Sequence, residues 1–307
     1  MPAKDWTAST DRDQDLRPAG SHWVLAGPRR PIIAVGLDPL ADYVRLFVAD
    51  WPCESVQSTP PRPPDVVVRS ARGGHSVFCR AVPEEPYPSS DPLDAARFVV
   101  GALICAYLSQ VGDGLAIHAA ASEFGAGVAL LIGRSEAGKS SLGLHLAAAG
   151  HRLYGDDQVI LRIGGGRASA TVTCLGVNPK VRLPLPDDCG SGYRHFVEGR
   201  TIFRNETLAL LRLEEERAAR FGEEREVAAL IALDRGPGGE ALLAPAAPST
   251  VLRKVLECGS SIRLKADALL TGLGKLANSV PGYALRYSSS AEAARLVERK
   301  LGVAGPG

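Results

Sequence analysis

The sequence predicts an α/β fold preceded by a small β-rich module, and three observations carry that prediction. A glycine-bounded apolar run, Gly127–Ile132, leads through a glycine-rich loop into the Leu- and Ala-rich stretch Lys139–Ala149, which Gly150 closes; the apolar run Gln158–Ile163 follows. Runs of these lengths read as buried strand, helix and strand, with glycine in its usual place just past a helix end. Helix and strand signals then go on alternating toward the C-terminus. Residues 31–90, by contrast, hold only short apolar runs punctuated by Pro and Gly, the pattern of strands and turns.

Taken in order, residues 1–30 are rich in Ser, Asp, Arg, Gly and Pro with little periodicity and read as poorly ordered. Ile32–Val35 and Tyr43–Val48 read as strands split by a Gly-Leu-Asp-Pro turn, and Thr59–Pro64 as a stiff proline connector. Asp65–Arg69 and Ser76–Val82 read as two more strands around Gly73-Gly74, and the Pro-rich stretch Pro83–Pro92 ends the module. Asp91 before Pro92 is an N-cap followed by proline at the first helical position. The helix it opens runs through Ala95–Ser109 and is apolar nearly all round, which predicts burial.

Leu115–Ala121 reads as a strand, and a turn at Gly125-Ala126-Gly127 makes a hairpin with Gly127–Ile132. Farther on, Val227–Asp234 reads as a strand, and Ser249–Cys258 and Lys265–Val280 read as helices. Tyr283, Leu285 and Tyr287 alternate as in a strand, and Ser289 with Glu292 spells a capping box for a last helix to about Leu301. The final Gly-Val-Ala-Gly-Pro-Gly reads as a frayed end, and no internal repeat is seen. The division expected is therefore 1–30, 31–90 and 91–307.

Bulk properties narrow the function classes. The chain has 307 residues, 45% hydrophobic and 22% charged, as ordinary globular proteins do. Its 35 Lys and Arg against 34 Asp and Glu leave a formal charge of +1, so no bulk attraction to nucleic acid or an anionic membrane is expected. Met1–Gly20 is polar and unlike a signal peptide, and the longest apolar stretch, Phe98–Val111, is too short to span a bilayer. Cys53, Cys79, Cys105, Cys174, Cys189 and Cys258 form no C-x-x-C pair, which argues against a zinc site and suits reduced thiols in cytoplasm. A homo-oligomer stays open.

The residues most loaded with chemistry are Gly133-Arg134-Ser135-Glu136-Ala137-Gly138-Lys139-Ser140-Ser141, which fit G-x-x-x-x-G-K-[ST] without mismatch. Glycines let the backbone wrap an anion with its N–H groups turned inward, as in a P-loop. Lys139 would reach the β/γ oxygens, Ser140 would offer its hydroxyl to Mg²⁺, and the helix N-terminus adds a positive dipole. The predicted strand before and helix after are the context this motif requires, and they point to a nucleoside triphosphate.

Asp156-Asp157 follows the helix just ahead of a strand. Beside a magnesium nucleotide, one carboxylate can position the metal while the other takes a proton from an attacking hydroxyl; the plain alternative is a solvated acidic turn. His118 lies in an otherwise apolar strand, either as a structural histidine or beside the γ-phosphate. Lys180 and Arg182, in the proline-flanked Asn178–Arg182, either hold phosphate or substrate charge or form a solvated basic loop. Arg200 and Arg204 are either transition-state contacts on a lid or ordinary surface arginines. His195 reads as a surface histidine, and Glu214–Arg217 with Glu223 and Glu224 as a solvated face.

The order of these pieces resembles the HPr serine kinase/phosphorylase family: His118 in a small-residue strand, then Gly133–Ser141, then Gly150-His151-Arg152-Leu153 running into Asp156-Asp157. The resemblance covers Leu115–Ile163 well and the rest of the C-terminal half weakly. It implies a P-loop kinase core of the type shared with phosphoenolpyruvate carboxykinase, with ATP and Mg²⁺ as cofactors. It also implies Lys139 and Ser140 on phosphates and metal, Asp156 as the base for a serine hydroxyl, Asp157 supporting the metal, and His118 beside the transferred phosphate. The family's acidic residue followed by Arg-Gly-x-Gly is absent, with Cys174–Lys180 in about that place, so the resemblance does not extend to phosphorolysis, HPr as acceptor or a hexamer. Asn-Pro-Lys-x-Arg-Leu-Pro from Asn178, Leu233–Gly236 and Val280–Tyr283 look more like divergent members, some encoded with lasso peptides, which phosphorylate a peptide serine. The acceptor implied is a peptide serine or, alternatively, a free small-molecule hydroxyl; a non-catalytic ATP sensor is the remaining alternative.

Overall fold

Residues 21–302, apart from 49, 126, 164–169, 262 and 263, are described by the computed structural model of the protein. The N-terminal part contains β1 (His22–Leu25), β2 (Ile32–Val35), α1 (Ala41–Phe47), β3 (Cys53–Val56), β4 (Val66–Ala71), β5 (Gly74–Cys79) and β6 (Val82–Ser89). Its strands form a six-stranded sheet in the order β3-β1-β2-β4-β5-β6. Helix α2 (Pro92–Leu108) packs on that sheet, with Ala95, Val99 and Leu103 in one apolar cluster with Ile32, Val66 and Val77. The helix starts where its cap dictates: the Asp91 carboxylate accepts from the Leu93 and Asp94 amides at 2.7 and 3.1 Å.

Two expectations for this part are corrected. The stretch read as poorly ordered contains β1, held between β2 and β3, with the Trp23 indole donating to Asp38 at 3.0 Å. Residues 1–20 of that stretch lie outside the described residues. Tyr43–Val48 falls in helix α1 and its end rather than in a strand. Leu40, Val44 and Phe47 are all buried, and their spacing follows the helical period of 3.6 rather than a strand's alternation.

The C-terminal part begins with β7 (Gly114–Ile117), β8 (Ala119–Phe124), β9 (Gly127–Ile132), α3 (Lys139–Ala149), β10 (Leu153–Gly155), β11 (Val159–Ile163) and β12 (Ala170–Thr173). It continues with β13 (Lys180–Arg182), α4 (Ser191–Glu198), β14 (Thr201–Arg204), β15 (Leu208–Leu211) and β16 (Glu224–Arg235). The chain closes with β17 (Leu242–Pro245), α5 (Pro248–Cys258), β18 (Gly259–Ser260), α6 (Ala266–Ser279), β19 (Gly282–Tyr287) and α7 (Ser290–Leu301).

Most of these strands join one sheet ordered β10-β8-β9-β16-β12-β11-β7-β18, with β17 and β19 off that path. The long β16 is its spine: it runs parallel to β9 and to β19, and its first residues pair antiparallel with β12. Strand β9 is apolar throughout because both its faces are covered. Val128, Leu130 and Ile132 pack with α5 and α6, whereas Ala129 and Leu131 pack with α3 and α7. A separate sheet, β13-β15-β14, packs with α4 against α3 through Leu144, Ala147, Val181, Phe196 and Leu211.

The strand expected over Leu115–Ala121 is interrupted at His118, so that β7 pairs with β11 while β8 pairs with β9 and β10. The hairpin into β9 is present, with Phe124 opposite Gly127; Ala126 of its turn lies outside the described residues. Ser289 is the N-cap of α7 in an extended conformation, but its hydroxyl makes no capping bond, so the expected capping box is not closed. Residues 303–307, read as a frayed end, lie outside the description. Among the described residues, no helix is long and apolar enough to cross a membrane.

Candidate active site

The loop between β9 and α3 leaves the start of the helix uncapped. Gly138 is the N-cap of α3 with φ +84°, and no side chain caps the helix, which leaves its first N–H groups open to an anion. Glu136 has φ +69° and Asp157 φ +70°, the only two non-glycine residues with positive φ among those described. Glu136 lies within this loop and Asp157 in the loop after β10, and such strained conformations collect at binding and catalytic sites. Tyr287, at the end of β19 and only 1% exposed, fastens the loop by donating its hydroxyl to the Ala137 carbonyl at 2.5 Å.

Lys139 is buried and its ammonium donates to the Gly133 and Arg134 carbonyls, each at 2.9 Å. Burial lowers its pKa, while the thiol of Cys258 and the carboxylates of Asp156 and Asp157 oppose that drop. Cys258, the last residue of α5, donates its thiol to the same Gly133 carbonyl at 3.3 Å. Its backbone carbonyl accepts from the His118 amide at 2.8 Å, at the break between β7 and β8. Burial raises the Cys258 pKa, and the nearby Lys139 charge works against that.

The loop after β10 brings the aspartate pair to this cluster. Asp156 is 1% exposed; its Oδ2 accepts from the Lys180 backbone amide at 3.3 Å, and its Oδ1 has no hydrogen-bond partner. Burial raises its pKa, with the Ser140 hydroxyl and the Lys180 ammonium opposing and the Asp157 charge adding to the rise. Asp157 behaves oppositely. Burial alone would raise its pKa, but the contacts to His118 Nε2 at 2.9 Å and Lys180 Nζ at 2.6 Å hold it well below the usual carboxylate range. Two adjacent carboxyls with pKa values pushed apart are the arrangement expected of groups with different tasks.

The structure thus brings together His118, Lys139, Ser140, Asp156, Asp157 and Lys180. Arg182 reaches the P-loop through Glu136, 2.5 Å away, in a pair whose side chains are 73% and 69% exposed. Arg200 is not brought to the site: it stacks over Phe196 and donates to Glu214 at 2.9 Å. Arg204 sits at an exposed position of β14, in the outlying small sheet. Glu223, read from sequence as part of a solvated face, is instead an acceptor for Arg152 at 2.8 and 3.0 Å and for Tyr154 at 2.7 Å. The Arg152 guanidinium holds the Glu223 pKa down at about 2. His195 lines an open groove between α3, α4 and α7, away from these contacts.

Sequence alone assigns Cys258, Tyr287 and Asn178 no part in the site. Asn178 ties the loop before β13 to the N-terminal part, donating its side-chain amide to the Leu46 carbonyl at 2.9 Å. Tyr287 carries no local signal beyond its place in an alternating strand, and Cys258 none beyond ending a helix.

These residues fit a magnesium nucleotide on two counts: the uncapped helix start and the unpartnered buried Asp156 Oδ1. Among the described residues no three His, Cys, Asp or Glu side chains form a cage.

No family model matches the chain, and no curated protein does. Among solved structures, the HPr(Ser) kinase/phosphatase from Coxiella burnetii is 14% identical, with a TM-score of 0.31 over 60% of this chain and 91% of that one. A likeness that loose carries no weight beside the geometry above.

Proposed function

We propose that the protein is an ATP- and Mg²⁺-dependent kinase that phosphorylates a hydroxyl, namely a serine of a small ribosomally made peptide of the lasso type. The observation that carries this reading is the unpartnered Oδ1 of Asp156, buried next to Ser140 and held by the strand that also carries Lys180. The resemblance of His118, Gly133–Ser141 and Asp156-Asp157 to the HPr kinase family supports the reaction class.

Each residue has a task that follows from its surroundings. The backbone N–H groups from Gly133 to Ser140 bind the phosphates, and Lys139 exchanges its two carbonyl partners for phosphate oxygens. Ser140 and Asp157 would hold Mg²⁺, which supplies neutralising charge on the β/γ oxygens. Asp157 suits this because His118 and Lys180 keep it ionised. Asp156 suits proton transfer because its raised pKa brings it closer to working pH, where a general base is most effective. The acceptor oxygen forms a bond to the γ-phosphorus, the bond from that phosphorus to the bridging oxygen breaks with ADP as leaving group, and the hydroxyl proton passes to Asp156. His118 orients Asp157 across a 2.9 Å contact. Catalysis of this kind rests on positioning and electrostatics.

The test is intact-mass spectrometry of serine peptides after incubation with ATP, Mg²⁺ and either wild type, Lys139→Ala or Asp156→Asn. The expected outcome is phosphate gain with wild type and a loss on the order of a hundred- to ten-thousand-fold for Asp156→Asn with nucleotide still bound. Lys139→Ala should lose nucleotide affinity as well. Transfer by Asp156→Asn within tenfold of wild type would remove Asp156 as the base. Bound nucleotide with no transfer to any hydroxyl would favour a sensor.

A further inference from the structure

Strand β13 uses one of its edges and leaves the other open. Its inner edge pairs with β15 in the register Lys180↔Leu210, Val181↔Ala209, Arg182↔Leu208. The flanking bonds, Leu211 N–H to the Pro179 carbonyl and Leu183 N–H to the Thr207 carbonyl, are both 2.9 Å and mark Val181 and Ala209 as the doubly bonded pair. In an antiparallel ladder the residues on either side of such a pair turn their backbone groups the other way. The Lys180 amide does so and meets Asp156 Oδ2. The Lys180 carbonyl and the N–H and carbonyl of Arg182 share that outer edge, and none has a hydrogen-bond partner among the described residues.

The open edge begins at the Asp156 carboxyl and ends at Arg182, whose side chain meets Glu136 of the P-loop. A strand paired along it would therefore run between the base and the phosphate cradle. Proteins usually blunt free strand edges, and this chain does so elsewhere: β6, at one rim of the N-terminal sheet, carries Pro86 and Pro88. On β13 the prolines, Pro179 and Pro184, only flank the edge and leave the Lys180 carbonyl and both backbone groups of Arg182 open to pairing.

We infer that the outer edge of β13 is the docking template for the acceptor: an extended peptide segment adds there as a fourth strand and so delivers its serine hydroxyl to Asp156. The inference rests on the kinase reading above and deepens it by naming how a peptide is selected. Main-chain pairing of this kind gives affinity without demanding particular side chains, and a free amino acid or sugar cannot supply it. The charge at the edge fits an acidic neighbour of the serine. Among the described residues Arg182 pairs with Glu136 alone, and both side chains are exposed, so the contact contributes little and is easily exchanged for a carboxylate on the incoming strand.

The test uses a serine-centred degenerate peptide library with the full-length protein and MgATP. The best substrate is then remade with a single N-methyl group at each backbone amide in turn. One or two analogues within a few residues of the serine, at alternate positions, should raise KM about tenfold, the factor that corresponds to one lost hydrogen bond, with kcat kept. Arg182→Pro deletes the outward N–H without touching the inner ladder and should raise KM similarly, beyond any effect of Arg182→Ala, which keeps the N–H. N-methyl analogues all within twofold of the parent, whose measurement does not depend on any variant folding, would overturn the docking mode while leaving the kinase reading intact. Phosphorylation of free serine or glycerol but of no library peptide would overturn the docking mode and the peptide acceptor together, with phosphoryl transfer itself upheld.

Discussion

The grip of Tyr287 on the P-loop gives the sharpest test of how the site is built. Gly138 lies in the left-handed region, and a Cβ there would collide with the Tyr287 hydroxyl oxygen while meeting the adjacent ring carbon at 3.4 Å, an ordinary contact. Gly138→Ala therefore suffers twice: about 1–2 kcal/mol for a left-handed alanine and about 1–3 kcal/mol for the collision. Tyr287→Phe loses one hydrogen bond from a partly buried carbonyl that water can reach, about 1 kcal/mol. In the double variant the colliding oxygen is gone, so only the backbone strain and the lost bond remain. The expected coupling between the two substitutions is the relieved collision, about 1–3 kcal/mol in the stabilising direction. Urea unfolding of the four proteins without nucleotide measures it, and calorimetric titration with nucleotide should show the same order, because the cradle N–H groups are what Tyr287 holds in place. Additivity within about 0.5 kcal/mol would refute the idea that Tyr287 fixes the loop.

Two further outcomes follow from the charge environment. His145, stacked on Tyr193 at 3.8 Å, has its pKa pushed down by burial to about 4, with Asp188 opposing and Arg295 adding to the drop. The unfolded chain binds that proton near pH 6.5, so the folded state is favoured fully above about 6.5 and loses this stability as pH falls toward 4. The ceiling is about 3 kcal/mol and the ring's partial exposure trims it; His145→Gln should flatten the unfolding free energy across that window, and an unchanged slope would show that the ring is not held neutral. Glu223→Gln, which weakens the acceptor shared by Arg152 and Tyr154, should cost about 1–2 kcal/mol by thermal unfolding, and a neutral result would make that network dispensable.

The elements whose signals are local were legible in the sequence. The bounds of β9 and α3 coincide with the runs read as strand and helix, and Asp91 caps α2 where the cap residue stands. Such signals lie within a few residues of what they control: an apolar period, a capping carboxylate, a glycine that tolerates positive φ. His118, Lys139, Asp156 and Asp157 are legible for a related reason, since each lies within a short loop or strand of the glycine-rich motif, and the structure places them in contact or close by. Tyr43–Val48 is ambiguous in the sequence because six residues with mixed apolar spacing fit either period; packing of Leu40, Val44 and Phe47 against α2 and the N-terminal sheet decides for helix.

Local signals set the strand–loop–helix unit, the G-x-x-x-x-G-K-[ST] pattern in its loop and the two aspartates that follow it. The tertiary structure alone decided which residues hold that unit. Tyr287 is 150 residues from Ala137 and Cys258 is 125 from Gly133, and β19 comes near the loop only because β16 lies parallel to both β9 and β19. The tertiary structure also divided the aspartates, burying Asp156 against the Lys180 amide and giving Asp157 two cationic partners. The sequence writes them as an identical pair. Their difference comes from desolvation and neighbouring charge, which depend on what the rest of the chain packs around each carboxyl.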